Sequence, residues 1–312
     1  MIRYTDRHYR YMMRLITKNT MLYTEMINAN SIVHNKANTE LLKFSSEESP
    51  LALQVGGNEP AQLSLCGKIA EDLGYDEINL NIGCPSKAAL QGEFGLCMMY
   101  KPEHVAECIY SLRKTVSIPV SIKCRIGVGN QYSWNDLSHF IKNIIQAGVD
   151  YIHIHARTGC LALSPKENRT IPPLNYETVY KIKRKFSGQK IGINGGVVNL
   201  NDAKKHLEYV DGVMIGRAAY SNPMMFSHAD ALFYGSDRKT TNPSLVLSML
   251  NLYIEKETNQ SKTKLKDIMR HTLNIFNGYP NAKAYKRFIL DNMYNCNNKS
   301  FICKKAIKII ET

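Results

Sequence analysis

The chain has 312 residues, 44% of them hydrophobic, which suits one large domain plus a smaller one and argues against a disordered chain. Its formal net charge of +13 makes a polyanion a candidate partner, although a solvated basic surface explains the charge alone equally well. The eight cysteines form no Cys-x-x-Cys pair and no apolar run approaches about 18 residues, which argues against a zinc or other metal site, a disulfide scaffold and a membrane span.

The same cysteine usage is typical of a reducing compartment, so we expect a cytoplasmic location. The basic, amphipathic N-terminus also leaves an organelle transit segment open. The start Thr-Asp-Arg-His at 5–8 favours an ordinary helix instead, with Thr5 as its N-cap.

Hydrophobic periodicity predicts strands that alternate with helices over residues 1–230. The predicted strands are, in chain order, 21–27, 51–55, 78–82, 118–126, 149–155, 190–194 and 212–215. The predicted helices between them are 60–73, 102–115, 133–147, 176–186 and 200–207. Alternation at this spacing indicates βα units and a parallel sheet.

Each predicted strand has a polar residue or a glycine at or just beyond its carboxyl end. These residues are Glu25, Gln54, Asn81, Lys123, His155, Asn194 and Gly216. An open sheet needs such ends only beside its switch point, whereas in a barrel every strand end faces one site. The pattern therefore predicts an α/β fold, a TIM (β/α)8 barrel. Seven strands are one too few for closure, so we expect either a truncated first strand before the helix at Thr5 or a barrel that closes imperfectly.

Beyond residue 230 the pattern changes. A polar, turn-rich segment at 231–243 is predicted to be a linker, and residues 244–312 carry helical patterns only. The predicted helices are 244–257, 263–276, 282–293 and 300–310. This bundle is rich in Lys and Arg, with Tyr279 and Tyr285 interleaved, as suits binding to RNA phosphates and bases. On this stretch alone, a solvated helix face is the slightly better account.

Cys84 lies on a Gly-Cys-Pro-Ser turn directly after a strand and before a glycine-spaced, flexible segment. Most cysteines are core residues, but the turn and the flanking asparagines favour an acid or a nucleophile here. Lys123 is predicted to point into the barrel, where an amine is costly unless it meets an anion or an electron-rich ring. Arg125 shares that face, and a salt bridge to another strand end is its alternative role.

Asn194-Gly195-Gly196 and Gly216-Arg217 follow the last two predicted strands, where barrels often bind phosphate through the backbone of glycine-rich turns. Tight turns alone would also explain these glycines. Gln54 supplies an amide that both donates and accepts, and His155 shares its side of the barrel. A phosphorylated ring satisfies all of these groups, and flavin mononucleotide (FMN) does so better than a sugar phosphate.

Several motifs between Tyr4 and about Leu290 carry a resemblance to a known family. They are TDRHYR (5–10), LYTEMI (22–27), LALQVGG (51–57), YDEINLNIGCPS (75–86), IPVSIKCRIG (118–127), HAR (155–157), LSPKENRTIPPLNY (163–176), INGG (193–196), DGVMIGRAAYSNP (211–223) and RHTLNIFNGYPNAK (270–283). Together they are similar to the tRNA-dihydrouridine synthases, closest to the A subgroup that acts at positions 20 and 20a.

The resemblance implies an oxidoreductase with FMN as cofactor and NADPH as electron donor, which reduces the C5–C6 bond of a D-loop uridine in tRNA. It implies hydride delivery to C6 and protonation of C5 by Cys84. The FMN contacts it implies are Gln54, Lys123, His155, Asn194, Gly195, Gly196, Gly216 and Arg217. The substrate and tRNA contacts it implies are Asn81, Arg157, Arg270, His271 and Arg287. Nothing in the sequence calls for an obligate protein partner.

Two departures from the family pattern stand out. The family begins with a strand ending in Ala-Pro-Met, whereas only residues 1–3 precede Tyr4 here, in agreement with the count of seven strands. The segment 158–162 is one residue shorter than in the subgroup and lacks its lysine. The alternatives are an FMN barrel acting on a small molecule of the dihydroorotate or enoate type, and a catalytically inactive RNA-binding relative. The basic bundle and the LSPKENR motif favour tRNA over a small molecule.

Overall fold

The computed structural model describes residues 1–34, 41–130, 132–294 and 299–311. The chain forms two compact units. The sheet unit comprises Tyr23–Lys43 and Leu51–Ile215, and the helical unit comprises Met1–Leu22, Phe44–Pro50 and Gly216–Thr312. None of the described helices has the length and apolar character needed to cross a membrane.

Short parallel strands form the centre of the sheet unit. They are β1 (Leu22–Tyr23), β2 (Ile27–Asn28), β3 (Leu51–Gly56), β4 (Glu77–Asn81), β5 (Val120–Arg125), β6 (Tyr151–His155), β7 (Lys190–Asn194) and β8 (Gly212–Met214). The order is β1-β3-β4-β5-β6-β7-β8, and β2 pairs with β3 as well. Because β1 and β2 both pair with β3, the described strands occupy the seven positions that the sequence predicts.

The predicted strand 21–27 is interrupted in the structure. The Thr24 hydroxyl accepts a hydrogen bond from the backbone N–H of Gln54 at 2.9 Å and donates one to the carbonyl of Glu25 at 2.8 Å. A side-chain oxygen thus takes the place of a backbone acceptor in the pairing with β3. The predicted single strand is therefore divided into β1 and β2.

Helices fill the connections between strands and most of the helical unit. They are α1 (Arg7–Ile16), α2 (Ala29–His34), α3 (Pro60–Leu73), α4 (Lys87–Gln91), α5 (Pro102–Thr115), α6 (Trp134–Gln146), α7 (Tyr176–Lys185), α8 (Leu200–Leu207), α9 (Arg217–Ser221), α10 (Ala229–Tyr234), α11 (Pro243–Gln260), α12 (Leu265–Met269), α13 (Ala282–Asn292) and α14 (Lys299–Glu311). Proline at the first position of α3 and α5 starts both helices, because it lacks only an N–H that would have no partner there.

Side chains of β3 to β7 alternate between an apolar face and a polar face. The apolar positions are fully buried and include Leu53, Ile78, Leu80, Ile122, Ile152, Ile154, Ile191 and Ile193. Ile78 lies beside Gly67 of α3, so this face packs against the helices. Each such side chain contributes about 2 kcal/mol of burial free energy. The opposite face carries the predicted site residues, since residues two apart on a strand share a face.

In the helical unit, the start of α1 forms ion pairs with residues near the end of the chain. Its N-cap is Asp6 rather than the predicted Thr5, because the Asp6 carboxylate accepts from the N–H groups of His8 and Tyr9, both at 3.1 Å. The same carboxylate pairs with Arg270 and with His271, whose Nε2 lies 2.9 Å away. Burial opposes this charge, but the hydrogen bond and charge of His271 prevail and hold the pKa of Asp6 well below its usual range.

Arg14 explains why the segment Phe44–Pro50 belongs to the helical unit. The guanidinium is 1% exposed and donates to the carbonyls of Glu48 and Pro50, each at 2.9 Å from Nη2. Its Nη1 donates to the carbonyls of Thr17 and Lys18 at 3.1 and 2.8 Å. One buried side chain thereby fixes two loops. It also supplies the hydrogen-bond donors that their buried backbone carbonyls need.

The boundary between the units differs from the predicted one. Residues 216–230 belong to the helical unit, and α10 continues to Tyr234 into the predicted linker 231–243. Asp230 is the reason, since its carboxylate accepts from the Thr17 hydroxyl and the Lys18 N–H, both at 2.6 Å. The predicted helix 263–276 is also shorter, because α12 ends at Met269.

Candidate active site

A continuous chain of hydrogen bonds crosses the polar face of the sheet. Asn81 Nδ2 donates to Gln54 Oε1 at 2.9 Å, and Gln54 Nε2 donates to Asn79 Oδ1 at 2.8 Å. Asn79 Nδ2 donates to Ser121 Oγ at 2.6 Å, and the Ser121 hydroxyl donates to Glu77. Every amide in this series is therefore held in one orientation, which fixes the donors and acceptors that Gln54 and Asn81 present.

The series ends in two buried ionisable groups. The Tyr23 hydroxyl donates to Glu77 Oε1 at 3.0 Å and lies 2.8 Å from His153 Nε2. Burial raises the pKa of Glu77, and burial together with the charge of Lys123 lowers the pKa of His153 to about 3. His153 is therefore neutral at physiological pH. Its Nδ1 has no hydrogen-bond partner in the described part of the chain.

We predict that His153 makes the protein sensitive to acid. Its pKa is lowered by folding, so the stabilisation it gives is present above its ordinary value of 6.5 and is lost as pH falls towards about 3. Between pH 6.5 and about pH 5 the free energy of unfolding should fall by about 2 kcal/mol through this group. Denaturant titrations at the two pH values should show a smaller loss for His153→Gln. An equal loss in both proteins would contradict the prediction.

Lys123 lies next to Asn81 across β4 and β5 and next to His153 across β5 and β6. Burial, followed by the charge of Arg125, lowers the pKa of its amine to about 8. Among the described residues no carboxylate lies within ion-pair distance of this amine. A desolvated lysine of this kind suits an anion or an electron-rich ring, as the sequence predicts.

The glycine turn after β7 positions His155. Gly195 and Gly196 have φ values of +116° and +73°, which side chains rarely adopt. A Cβ on Gly195 would lie 2.7 Å from Cδ2 of His155, and one on Gly196 would lie 2.5 Å from the Tyr176 hydroxyl. Only glycine lets the backbone pass so close to the imidazole. Asn194, paired with His155 across the strands, is fixed by a 2.7 Å bond from its Nδ2 to the carbonyl of Met214.

Cys84 lies three residues beyond the end of β4, on the turn that the sequence predicts after this strand. The half-buried thiol donates to the Ser86 hydroxyl at 3.3 Å, and Ser86 caps α4 through the N–H of Ala89 at 3.2 Å. The carbonyl of Cys84 accepts from the N–H of Leu96 at 3.0 Å. The predicted glycine-spaced segment, 91–95, is the turn that joins α4 to a 3₁₀ helix at Gly95–Tyr100. Cys84 is also one of the groups whose charge acts on Lys123.

The remaining predicted residues lie elsewhere. Gly216 and Arg217 belong to the helical unit, where Gly216 directly precedes α9 and Arg217 is exposed. Arg157, in the sheet unit, donates from Nη1 to the carbonyl of Pro172. Arg287 is exposed, with its nearest ion-pair partner Asp291 at 3.9 Å.

Two surface predictions need correction. His271 is 2% exposed, with Nε2 at Asp6 and Nδ1 at 3.1 Å from the Tyr220 hydroxyl, so it is a structural residue rather than a contact for RNA. Tyr285 is fully buried and donates to the carbonyl of Thr272 at 3.2 Å, so it belongs to the core. Tyr279 is 46% exposed, as a stacking side chain requires.

Residues that the sequence did not single out also shape the site. Ser86 is the acceptor for the Cys84 thiol, and its place in the Cys-Pro-Ser turn before a helix was the available signal. Asn168 is fully buried and donates to the carbonyls of Cys160 and Leu163, each at 2.8 Å. It lies in the LSPKENR motif, but nothing local distinguishes it from a surface amide.

The residues of the sheet unit fit a flavin. Gln54 and Asn81 offer oriented amides for a ring that both donates and accepts, and Lys123 offers a cation that the described residues leave without a counterion. The glycine turn at 195–196 leaves no room for a side chain beside His155. Fold and site together define a flavin-type oxidoreductase built on a parallel α/β sheet.

Comparisons with known proteins give the family. The family model for dihydrouridine synthase (Dus) matches residues 1–310. A tRNA-dihydrouridine(20/20a) synthase of Shewanella oneidensis is 42% identical over 313 residues, covering 100% of this chain and 92% of that protein. One of Escherichia coli (strain K12) is 44% identical, covering 99% and 90%, and one of a Synechocystis species is 45% identical, covering 94% and 87%.

The chain belongs to the dihydrouridine synthase family, whose members are FMN-dependent oxidoreductases that reduce uridines in tRNA, typically with NADPH.

Solved structures support the fold alone. A 2-naphthoyl-CoA reductase complex gives a TM-score of 0.56 at 11% identity, covering 72% of this chain and 47% of that one. Histamine dehydrogenase from Rhizobium sp. 4-9 gives 0.54 at 10% identity, covering 78% and 45%. The chain thus spans about half the length of these structures. The predicted fold class, a TIM barrel, is confirmed.

Proposed function

We propose that this chain reduces the uridines at positions 20 and 20a of the tRNA D-loop, and that Cys84 is the acid that protonates C5. The observation that carries the proposal is the arrangement around Cys84. Its half-buried thiol lies just beyond the carboxyl end of β4 and donates a hydrogen bond to the Ser86 hydroxyl. The charge of Cys84 also acts on the Lys123 amine. The positions are those of the relatives, which are tRNA-dihydrouridine(20/20a) synthases more than 40% identical to this chain.

Bound FMN supplies the hydride for C6. The chain's own residues do the rest. Lys123 and the amide of Gln54 hold the flavin, with His155, Asn194 and the turn Gly195-Gly196. The Asn81 amide orients the uracil, and its geometry is already fixed by Gln54 and by the backbone N–H of Gly83 at 3.0 Å. The Cys84 thiol then gives its proton to C5, which requires a positioned acid within hydrogen-bond reach.

In the helical unit, exposed groups suit contacts with phosphates and unstacked bases. Arg287 has an exposed side chain, Lys283 is exposed one turn before it, and Tyr279 precedes α13. We propose that these residues hold the tRNA. We also propose Gly216 and Arg217 as FMN contacts. Arg157 is proposed to lie near the substrate. Arg270, partly exposed and paired with Asp6, also remains a candidate phosphate contact. The seven described cysteines are all free, which fits a cytoplasmic location for this reaction.

The test uses the purified full chain, loaded with FMN and supplied with NADPH and an unmodified tRNA transcript. Nuclease digestion and mass spectrometry should find a gain of two hydrogen atoms at positions 20 and 20a. A matched transcript with cytidine at both positions should gain none. Reduction of a free pyrimidine or an enoate without tRNA would favour the small-molecule alternative. A flavin-loaded protein that reduces neither would contradict the proposal.

A further inference from the structure

Arg125, the last residue of β5, is buried without a carboxylate. It is 4% exposed, and in the described part of the chain no Asp or Glu lies within ion-pair distance of it. Its Nε donates to the carbonyl of Gly83 at 3.0 Å, and its Nη1 donates to the carbonyls of Thr158 and Asn168, both at 3.3 Å. A buried charge that lacks a counterion costs stability, so its retention needs another reason.

The first of its acceptors belongs to the Cys84 segment (residues 83–96). The Gly83 peptide is held from both sides, since its N–H donates to Asn81 Oδ1 at 3.0 Å while its carbonyl accepts from Arg125. Two bonds therefore fix the backbone immediately before the thiol. The carbonyl of Cys84 itself is held by Leu96, as described above, so the position of the sulfur depends on these few contacts.

The other two acceptors belong to the Asn168 loop (residues 158–170). The Asn168 side chain ties this loop together, because its Oδ1 also accepts from the N–H of Cys160 at 2.8 Å. The loop touches the Cys84 segment directly at Gly159, where an added Cβ would lie 2.3 Å from Cδ2 of Leu96 and 2.9 Å from Cδ of Arg125. The guanidinium thus lies where the two loops meet.

We infer that Arg125 is a positioning residue that clamps the Cys84 segment to the Asn168 loop and so fixes the thiol for proton transfer. The inference rests on the proposed role of Cys84. A planar guanidinium suits this task because its Nε and Nη1 can donate in two fixed directions at once, which an ammonium group cannot do.

The test is hydrogen–deuterium exchange of the flavin-loaded full chain, combined with steady-state kinetics on tRNA. Arg125→Met should increase deuterium uptake in both the Cys84 segment and the Asn168 loop. It should lower kcat by about 10- to 100-fold through misplacement of the acid, while KM for tRNA changes by less than about threefold. Arg125→Lys keeps the charge but not the fork and should show the same loosening of both segments. The matched control is Arg113→Met, since Arg113 lies in the last turn of α5 and donates to the carbonyl of Ile118 at 3.5 Å, before the start of β5 and at the opposite end of the strands. It should change neither readout.

Unchanged exchange in either segment of Arg125→Met would overturn the clamp, and so would loosened segments with wild-type kcat. Full recovery of both readouts in Arg125→Lys would also overturn it, because charge alone would then suffice. If Arg125→Met does not fold, Arg125→Lys decides by the same measurements. Exchange is independent of turnover. Loosened loops in a protein whose wild type makes no dihydrouridine would therefore refute the proposed function and leave the structural clamp standing.

Discussion

Replacing Cys84 with alanine should reduce dihydrouridine formation by about 100- to 10,000-fold, the usual contribution of a positioned general acid. The flavin should remain bound, because none of the residues proposed to hold it contacts the thiol through a hydrogen bond. The measurement is single-turnover reduction of a tRNA transcript by protein whose flavin has been reduced beforehand. Flavin content is read from visible absorbance. Reduction of the flavin by NADPH should keep its wild-type rate.

A second cysteine provides the control for this experiment. Cys97 is also half-buried and lies thirteen residues further on, with its thiol 3.3 Å from the carbonyl of Phe94. Cys97→Ala should react with tRNA at the wild-type rate. If Cys84→Ala keeps its rate within about tenfold of wild type, Cys84 is not the acid. If it loses its flavin, the experiment has tested binding rather than proton transfer, and Cys84→Ser, which keeps the size of the side chain, takes its place.

Lys123→Met should weaken FMN binding and at the same time stabilise the protein without flavin. The amine is desolvated, with its pKa lowered to about 8, and the described residues supply no counterion. Loss of a hydrogen bond to a charged group corresponds to a rise in the FMN Kd of about 10- to 100-fold. Methionine fills the same space without a charge, so the melting temperature of the flavin-free protein should rise. Opposite changes in these two quantities would distinguish a ligand-binding lysine from a structural one.

The dependence on pH adds a second readout. FMN binds the protonated amine, so the apparent affinity of the wild type should fall as pH rises above about 8, and Lys123→Met should lack this slope. Flavin fluorescence quenching measures the affinity, and calorimetry measures the melting temperature. Lys142→Met, an exposed position on α6, is the control and should change neither. Unaltered affinity in Lys123→Met would remove this lysine from the cofactor site.

Much of the sheet unit could be predicted from the sequence because alternation within strands is a local signal. The polar ends of β3 to β7 predicted Gln54, Asn81, Lys123, His155 and Asn194 as site residues, and register places Asn81 beside Lys123 and His155 beside Asn194. The Gly-Cys-Pro turn placed Cys84 correctly. These features depend on residues that lie within a few positions of one another.

The features that could not be predicted depend on partners distant in sequence. A salt bridge was the alternative role for Arg125, but its acceptors are backbone carbonyls, which every residue possesses and no residue type reveals. The burial of His271 follows from Asp6, more than 260 positions away. Tyr285 belongs to the core for the same reason, since a helix pattern does not say which of two aromatic residues another element will cover.

The contacts of α1 also bear on synthesis by the ribosome. Asp6 and Arg7 need Arg270 and Glu257, and Thr17 needs Asp230. At about 5 to 20 residues per second, the emerging N-terminal helix must wait roughly 10 to 50 seconds before these residues exist. During that interval α1 has only the segment Phe44–Pro50 as a permanent partner, and a newly made chain would depend on chaperones or on temporary contacts to keep the rest of its apolar face from aggregating.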